Sequence, residues 1–136
     1  MKKISINELP VYRAAEPNVR DNLILCDGQD GAQNLSVGVG FYKAGQASEF
    51  HVHENEEEVM IYFKGEGIMR MEDGSEYPLK KGDITYVPAG EKHKLINTGD
   101  DTFVFLFVYS PMGPEKGIRT WDIVEGLHID LDEMVG

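Results

Sequence analysis

Between Leu35 and Tyr109 the apolar residues of this chain recur mostly with a period of two. In NLSVGVGFYKAG, Leu35, Val37, Val39 and Phe41 alternate with small or polar residues. Successive side chains of a strand point to opposite faces, so this alternation marks a half-buried strand rather than a helix. The stretch from Glu58 to Gly90 holds further strand-like runs, with Asp73-Gly74 as a hairpin-turn signal and Lys81-Gly82 and Ala89-Gly90 as breaks. HKLINTGDDTFVFLFVYSP adds two strands around the turn Asn97-Thr98-Gly99-Asp100. Six or more short strands with glycine-rich turns, and no clear helix between residues 23 and 110, predict an all-β chain folded as an antiparallel barrel or two-sheet sandwich.

A chain of 136 residues is the size of one domain, and no linker, repeat or low-complexity segment divides it. The expectation is a single domain over residues 1–136, with an N-terminal arm to about residue 22 and a C-terminal tail from about residue 111. In the tail the period weakens. Pro111, Pro114, Trp121 and the end IVEGLHIDLDEMVG leave a short helix, an extra strand or a docking arm open. Thirteen basic against 24 acidic residues give a net charge of -11, which opposes binding to nucleic acid or an anionic membrane surface. The single cysteine, Cys26, excludes an internal disulfide and a Cys-rich zinc module, and is expected to be a buried thiol. Lys2 and Lys3 are followed by no apolar run, and no stretch reaches the roughly 18 apolar residues of a membrane span, so a cytoplasmic location is expected.

HVHENEEEV, residues 51–59, places two histidines one residue apart, followed by four acidic side chains in the next five positions. On a strand Glu49, His51 and His53 share a face, so the two imidazoles would converge on one point. Glu58 follows after a short acidic loop. A third histidine, His93, comes just after VPAGEK, where the proline and glycine would reverse the chain.

At these residues the chain resembles the cupins. The family's first motif runs glycine, five residues, His-x-His, three or four residues, glutamate, six residues, glycine; this chain has Gly45, His51, His53, Glu58 and Gly65 in that register. The second runs glycine, five residues, Pro-x-Gly, two residues, histidine, three residues, asparagine, and Gly82, Pro88, Gly90, His93 and Asn97 match it. Sixteen residues, 66 to 81, separate the motifs, so the resemblance covers residues 45–97. An isolated His-x-His would be weak; ten fixed positions in register are specific.

The resemblance implies a double-stranded β-helix, or jelly-roll barrel, with one divalent metal held by His51, His53, Glu58 and His93. The donor chemistry agrees, since three imidazoles and one carboxylate suit Mn, Fe, Co, Ni or Zn and leave coordination positions open. Glu54, Glu56 and Glu57 read as a solvated loop, and His128 as a tail residue outside the site. Glu49 is a candidate catalytic base, because strand parity turns it toward the histidines, where an unpaired carboxylate would be costly. A bend after Ala47-Ser48 would instead send it to solvent. Tyr62 shares parity with Glu58 and is the core residue whose hydroxyl could reach a ligand.

These features lead to a metal-dependent enzyme acting on a small oxygenated substrate, a sugar or a hydroxy or keto acid, by proton transfer: an isomerase, epimerase or lyase. The alternatives are a non-haem iron dioxygenase and a non-catalytic metal- or ligand-binding module. A polyanionic substrate is disfavoured unless Arg70 or a lysine points inward. The resemblance implies a homodimer with sheets packed face to face, and apolar residues on both faces of VMIYF and FVFLFVY, more than one small barrel interior needs, agree with it.

Overall fold

The computed structural model describes all 136 residues. Ten strands follow in chain order: β1 Tyr12–Arg13, β2 Asp21–Cys26, β3 Ser36–Tyr42, β4 Glu57–Lys64, β5 Glu66–Met71, β6 Glu76–Lys80, β7 Ile84–Val87, β8 His93–Asn97, β9 Phe103–Ser110 and β10 Asp122–Ile123. Two short helices, α1 Glu115–Ile118 and α2 Leu131–Val135, lie in the tail. The strands form a seven-stranded antiparallel sheet ordered β10-β1-β2-β3-β9-β4-β7 and a three-stranded sheet ordered β6-β5-β8. Together they make the all-β, double-stranded β-helix that the motifs implied. No helix is long and apolar enough to cross a membrane.

The hairpin at Asp73-Gly74 joins β5 to β6, with Asp73 Oδ1 accepting from the Ser75 backbone N–H at 2.9 Å. Between β8 and β9, Asn97 works as a clamp. Its amide donates to the carbonyls of Tyr42 and Asp101, and its oxygen accepts from the Gly99 N–H. The last position of the second motif is thus structural: it ties β3 to the turn that launches β9.

Period two did not say which face of a strand is the barrel interior. On β9 the answer is simple, because Phe103, Phe105, Phe107 and Tyr109 all enter the inner core with Tyr42, Met60 and Tyr62. On β3 the alternating apolar residues point the other way. Val39 and Phe41 join Leu23, Val104, Val11, Ile129 and Met134 in a second cluster on the outside of the large sheet, and Leu35 is exposed. The N-terminal arm and the tail therefore cover that outer face, with β1 and β10 paired at its edge. Inside, β3 offers Gly38 and Gly40, against which the rings of Phe107 and Phe105 press. A Cβ on Gly38 would stand 2.2 Å from Phe107 Cζ and 2.7 Å from the Leu23 carbonyl oxygen. Because that backbone atom cannot swing aside, Gly38→Ala is expected to destabilise by about 1–3 kcal/mol, the usual cost of overpacking. A thermal melt would show a drop of several degrees, and an unchanged midpoint would contradict this account of the close packing.

Candidate metal centre

The two motifs are brought together by backbone hydrogen bonds. His51 N–H donates to the His93 carbonyl and His93 N–H to the His51 carbonyl, both at 2.9 Å, in an isolated antiparallel bridge. Their rings lie 4.3 Å apart as a result. Gly90 adopts a positive φ of 84°, open to glycine without strain, and its N–H reaches the His53 carbonyl at 2.8 Å. That turn fixes His53 against the start of β8. Glu58 comes from β4, facing Tyr109 across the β4–β9 ladder.

One donor atom from each of His51, His53, Glu58 and His93 falls within 4.8 Å of the others, so this cluster can hold a metal ion. His51 Nδ1 and His93 Nδ1 each lie 2.9 Å from a backbone carbonyl, those of Glu49 and Glu91. A carbonyl only accepts, so in the neutral rings Nδ1 carries the proton and Nε2 presents its lone pair to the centre, the usual way a protein orients an imidazole ligand. Glu58 Oε1 stands 3.4 Å from His93 Nε2 and 3.7 Å from His53 Nε2. With the rings neutral these are approaches between lone pairs, and all three atoms are buried without a hydrogen-bond partner. Orphaned buried acceptors cost free energy, and a cation among them removes that cost. At bond lengths of about 2.0–2.2 Å, ligands around one ion stand roughly 3–4 Å apart, which matches these separations.

The electrostatics fit as well. Burial, reinforced by the neighbouring His93, pushes His51 and His53 down to about 4, which keeps them neutral and able to ligate. Burial also opposes a charge on His93, but Glu58 and the Glu91 carbonyl outweigh it and raise that histidine. Tyr109 is held well above its ordinary value by burial and by Glu58, and stays a neutral phenol beside the His53 ring, 5.0 Å away.

A cavity of about 210 Å³ opens onto the cluster. Glu49 lines it at the rim rather than in the barrel, because residues 49 and 50 lie outside regular strand, and its side chain is 51% exposed. Burial would raise the Glu49 carboxyl, but its own backbone N–H, Arg20 and His51 outweigh that and hold it below the usual range. Tyr62 does not line the cavity. It is buried, with its hydroxyl 2.9 Å from Thr85 Oγ1, so its role here is packing. Arg70 is paired with Glu76 and away from the site. Glu54 and Glu57 are exposed, as is His128, while Cys26 is only half-buried.

Sequence reasoning missed the cavity's other wall. Arg20 and Asn22 from the N-terminal arm and β2, Tyr42 from β3, and Ile118 and Trp121 from the tail all face the metal cluster across the cavity. The tail is held there by Arg119, which makes a two-point ion pair with Asp27 at 2.8 Å and a third bond to the Tyr12 hydroxyl. Nothing in the local pattern around Arg20 or Trp121 signals that they meet.

A barrel of two antiparallel sheets with three histidines and a glutamate converging inside it defines a cupin-type fold with a cluster that can hold a metal ion. The model of the cupin domain matches residues 39–109, more than half of the chain, and the chain belongs to that family. It is 36% identical over 64 residues to an oxalate-binding protein of Thermotoga maritima, covering 47% of this chain and 52% of that one. It is likewise 36% identical over 64 residues to a glucose-6-phosphate isomerase of Pyrococcus horikoshii, covering 44% of this chain and 34% of the isomerase. The matches thus span about half or less of these relatives. Among solved structures, a protein with a double-stranded β-helix domain from Klebsiella pneumoniae superposes with a TM-score of 0.66 at 22% identity, covering 92% of this chain and 98% of that one.

Proposed function

We propose that this chain is a divalent-metal-dependent enzyme that moves a proton on a small oxygenated substrate, as an isomerase, epimerase or lyase does. The observation that carries the reading is a four-donor cluster with orphaned Nε2 and Oε1 atoms on one side of a cavity and an ionisable carboxylate, Glu49, on its rim. A divalent ion held by His51, His53, Glu58 and His93 would polarise a carbonyl or hydroxyl of the substrate. Glu49 is ionised at neutral pH and, being at the rim, is free to turn toward a substrate proton. Tyr42, Phe105, Phe107 and Trp121 line the cavity and limit the water that reaches the reacting carbon. The isomerase relative supports this class, and the oxalate-binding relative supports a second reading in which the same site binds a small acid without turning it over.

The test is solvent exchange. Metal-loaded protein in D2O is expected to place deuterium on the carbon beside the carbonyl or hydroxyl of its substrate, with oxygen excluded, and chelator-treated protein is expected not to. Turnover that requires iron and consumes oxygen would instead make the chain a dioxygenase, and binding without exchange would make it a binding protein.

We also propose that the active form is a homodimer. Val37, Val108, Val59 and Tyr86 form one row across the outer face of the large sheet, and Leu106, Ile61 and Ile84 continue the next row beyond the area the tail covers. Ile84 and Tyr86 are 66% and 58% exposed, a costly surface for a lone barrel. Light scattering at micromolar concentration is expected to give twice the 15.3 kDa chain mass, and Ile84→Lys to shift it toward one. A wild-type monomer would remove the proposal.

A further inference from the structure

Arg20 is a buried cation in a strongly acidic protein. Only 8% of the residue is exposed, and its guanidinium lines the same cavity as the metal cluster. Its Cζ lies over the Trp121 ring, 4.8 Å from the centroid, and 6.0 Å from that of Tyr42. Its guanidinium donates to the Asn18 carbonyl at 2.7 Å and meets both Glu49 oxygens, Nη2 to Oε1 and Nη1 to Oε2, each at 3.3 Å. Both contacts are long and the Glu49 carboxylate is half in solvent, so a better-placed carboxylate can replace it on the buried charge. Beside it Asn22, 7% exposed, also lines the cavity, and its side-chain oxygen is buried without a hydrogen-bond partner. A planar fork of donors next to an unused acceptor is a built receptor.

From this geometry we infer that the cavity takes a short carboxylic acid with an oxygen on the neighbouring carbon. Its carboxylate docks on Arg20 in place of Glu49, and a hydroxyl, where present, is accepted by Asn22. This rests on the proposed metal-assisted function and names its substrate class. Size agrees: a cavity of about 210 Å³ has room for an acid of three or four carbons. Position agrees too. In such an acid the carbon that loses a proton is bonded to the carboxylate, so anchoring the carboxylate at Arg20 brings that proton beside Glu49, which the acid has freed from the guanidinium to accept it.

The test compares lactate with lactamide, which has the same shape and no charge, by calorimetry or ligand-observed NMR, on metal-loaded and chelator-treated protein. Wild-type protein is expected to bind lactate at least tenfold more tightly than lactamide, and Arg20→Gln to erase that preference while metal content stays unchanged. Glu49→Gln removes the internal competitor and is expected to tighten lactate severalfold, an effect of opposite sign that decides the matter should Arg20→Gln fail to fold. A wild-type protein that does not prefer the acid, an Arg20→Gln protein that still does, or a Glu49→Gln protein that binds lactate no more tightly overturns the inference. An Arg20-dependent preference in protein that takes up no metal would sustain it while removing the proposed function; metal uptake without that preference does the reverse.

Discussion

His93→Ala is expected to lower affinity for divalent transition metals by more than about 100-fold, since removing a ligand costs more than the 10- to 100-fold lost with an outer partner. His93 is fully buried, bonded by its ring to the Glu91 carbonyl and by its backbone to His51, so no other side chain can take its place. His128→Ala, at an exposed tail position, is expected to change nothing. In wild-type protein, metal at 100 times its Kd stabilises the fold by about 2.7 kcal/mol, which a melt reads as a chelator-sensitive rise in midpoint. Acid should remove it. His93 sits above the ordinary histidine value because Glu58 and the Glu91 carbonyl outweigh burial and favour its charged form, and that protonation competes directly with the metal. Bound metal is therefore expected to leave as pH falls below about 6. The metal-free fold also responds. His51 and His53 are held down to about 4, so the unfolded chain takes up their protons first and stability falls as pH drops from the usual 6.5 toward 4. His93 works the other way: its contribution is present below 6.5 and lost as pH rises through its raised value. Two histidines against one leave a net loss in acid. A midpoint and metal content that ignore both chelator and His93→Ala would end the metal reading.

The metal cluster was legible because its geometry is local. His51 and His53 are two residues apart, Gly90 turns the chain just before His93 opens β8, and backbone hydrogen bonds from His51, His93 and Gly90 join the two stretches. Spacing alone carries that information. Strand polarity was not legible in the same way. Alternation announces two faces, but Val39 and Phe41 turn outward only because Gly38 and Gly40 leave room for Phe105 and Phe107, and because Ile129 and Met134 arrive from some ninety residues away to cover them. Glu49 was placed by parity, which holds along a strand; residues 43–56 carry only isolated bridges at Ala47 and His51, so parity does not run through Glu49. Arg20 and Trp121 lie about a hundred residues apart, and their stacking depends on the Arg119–Asp27 pair that folds the tail back. Such a contact has no periodicity. The same holds for Tyr62, whose parity was right and whose hydroxyl nonetheless found Thr85 first.

Glu49→Gln is expected to lower turnover by about two to four orders of magnitude, the usual worth of a positioned acid or base. The exchange keeps the side chain's length and removes its ability to take a proton. Since the carboxylate is half-exposed and is not among the four metal donors, fold and metal content are expected to survive. The kinetic signature then separates a base from a mere binding group. A residue that only holds substrate raises KM and leaves kcat alone, whereas loss of a base acts on kcat. Here the two should split in opposite directions, because the amide no longer competes for Arg20: substrate binds more tightly and reacts more slowly. The deuterium exchange proposed above should fall with kcat. Full exchange in the Gln variant would show that some other acceptor takes the proton. A variant with unchanged turnover on an identified substrate would end the proton-transfer reading and leave oxygen chemistry or simple binding as the use of this site.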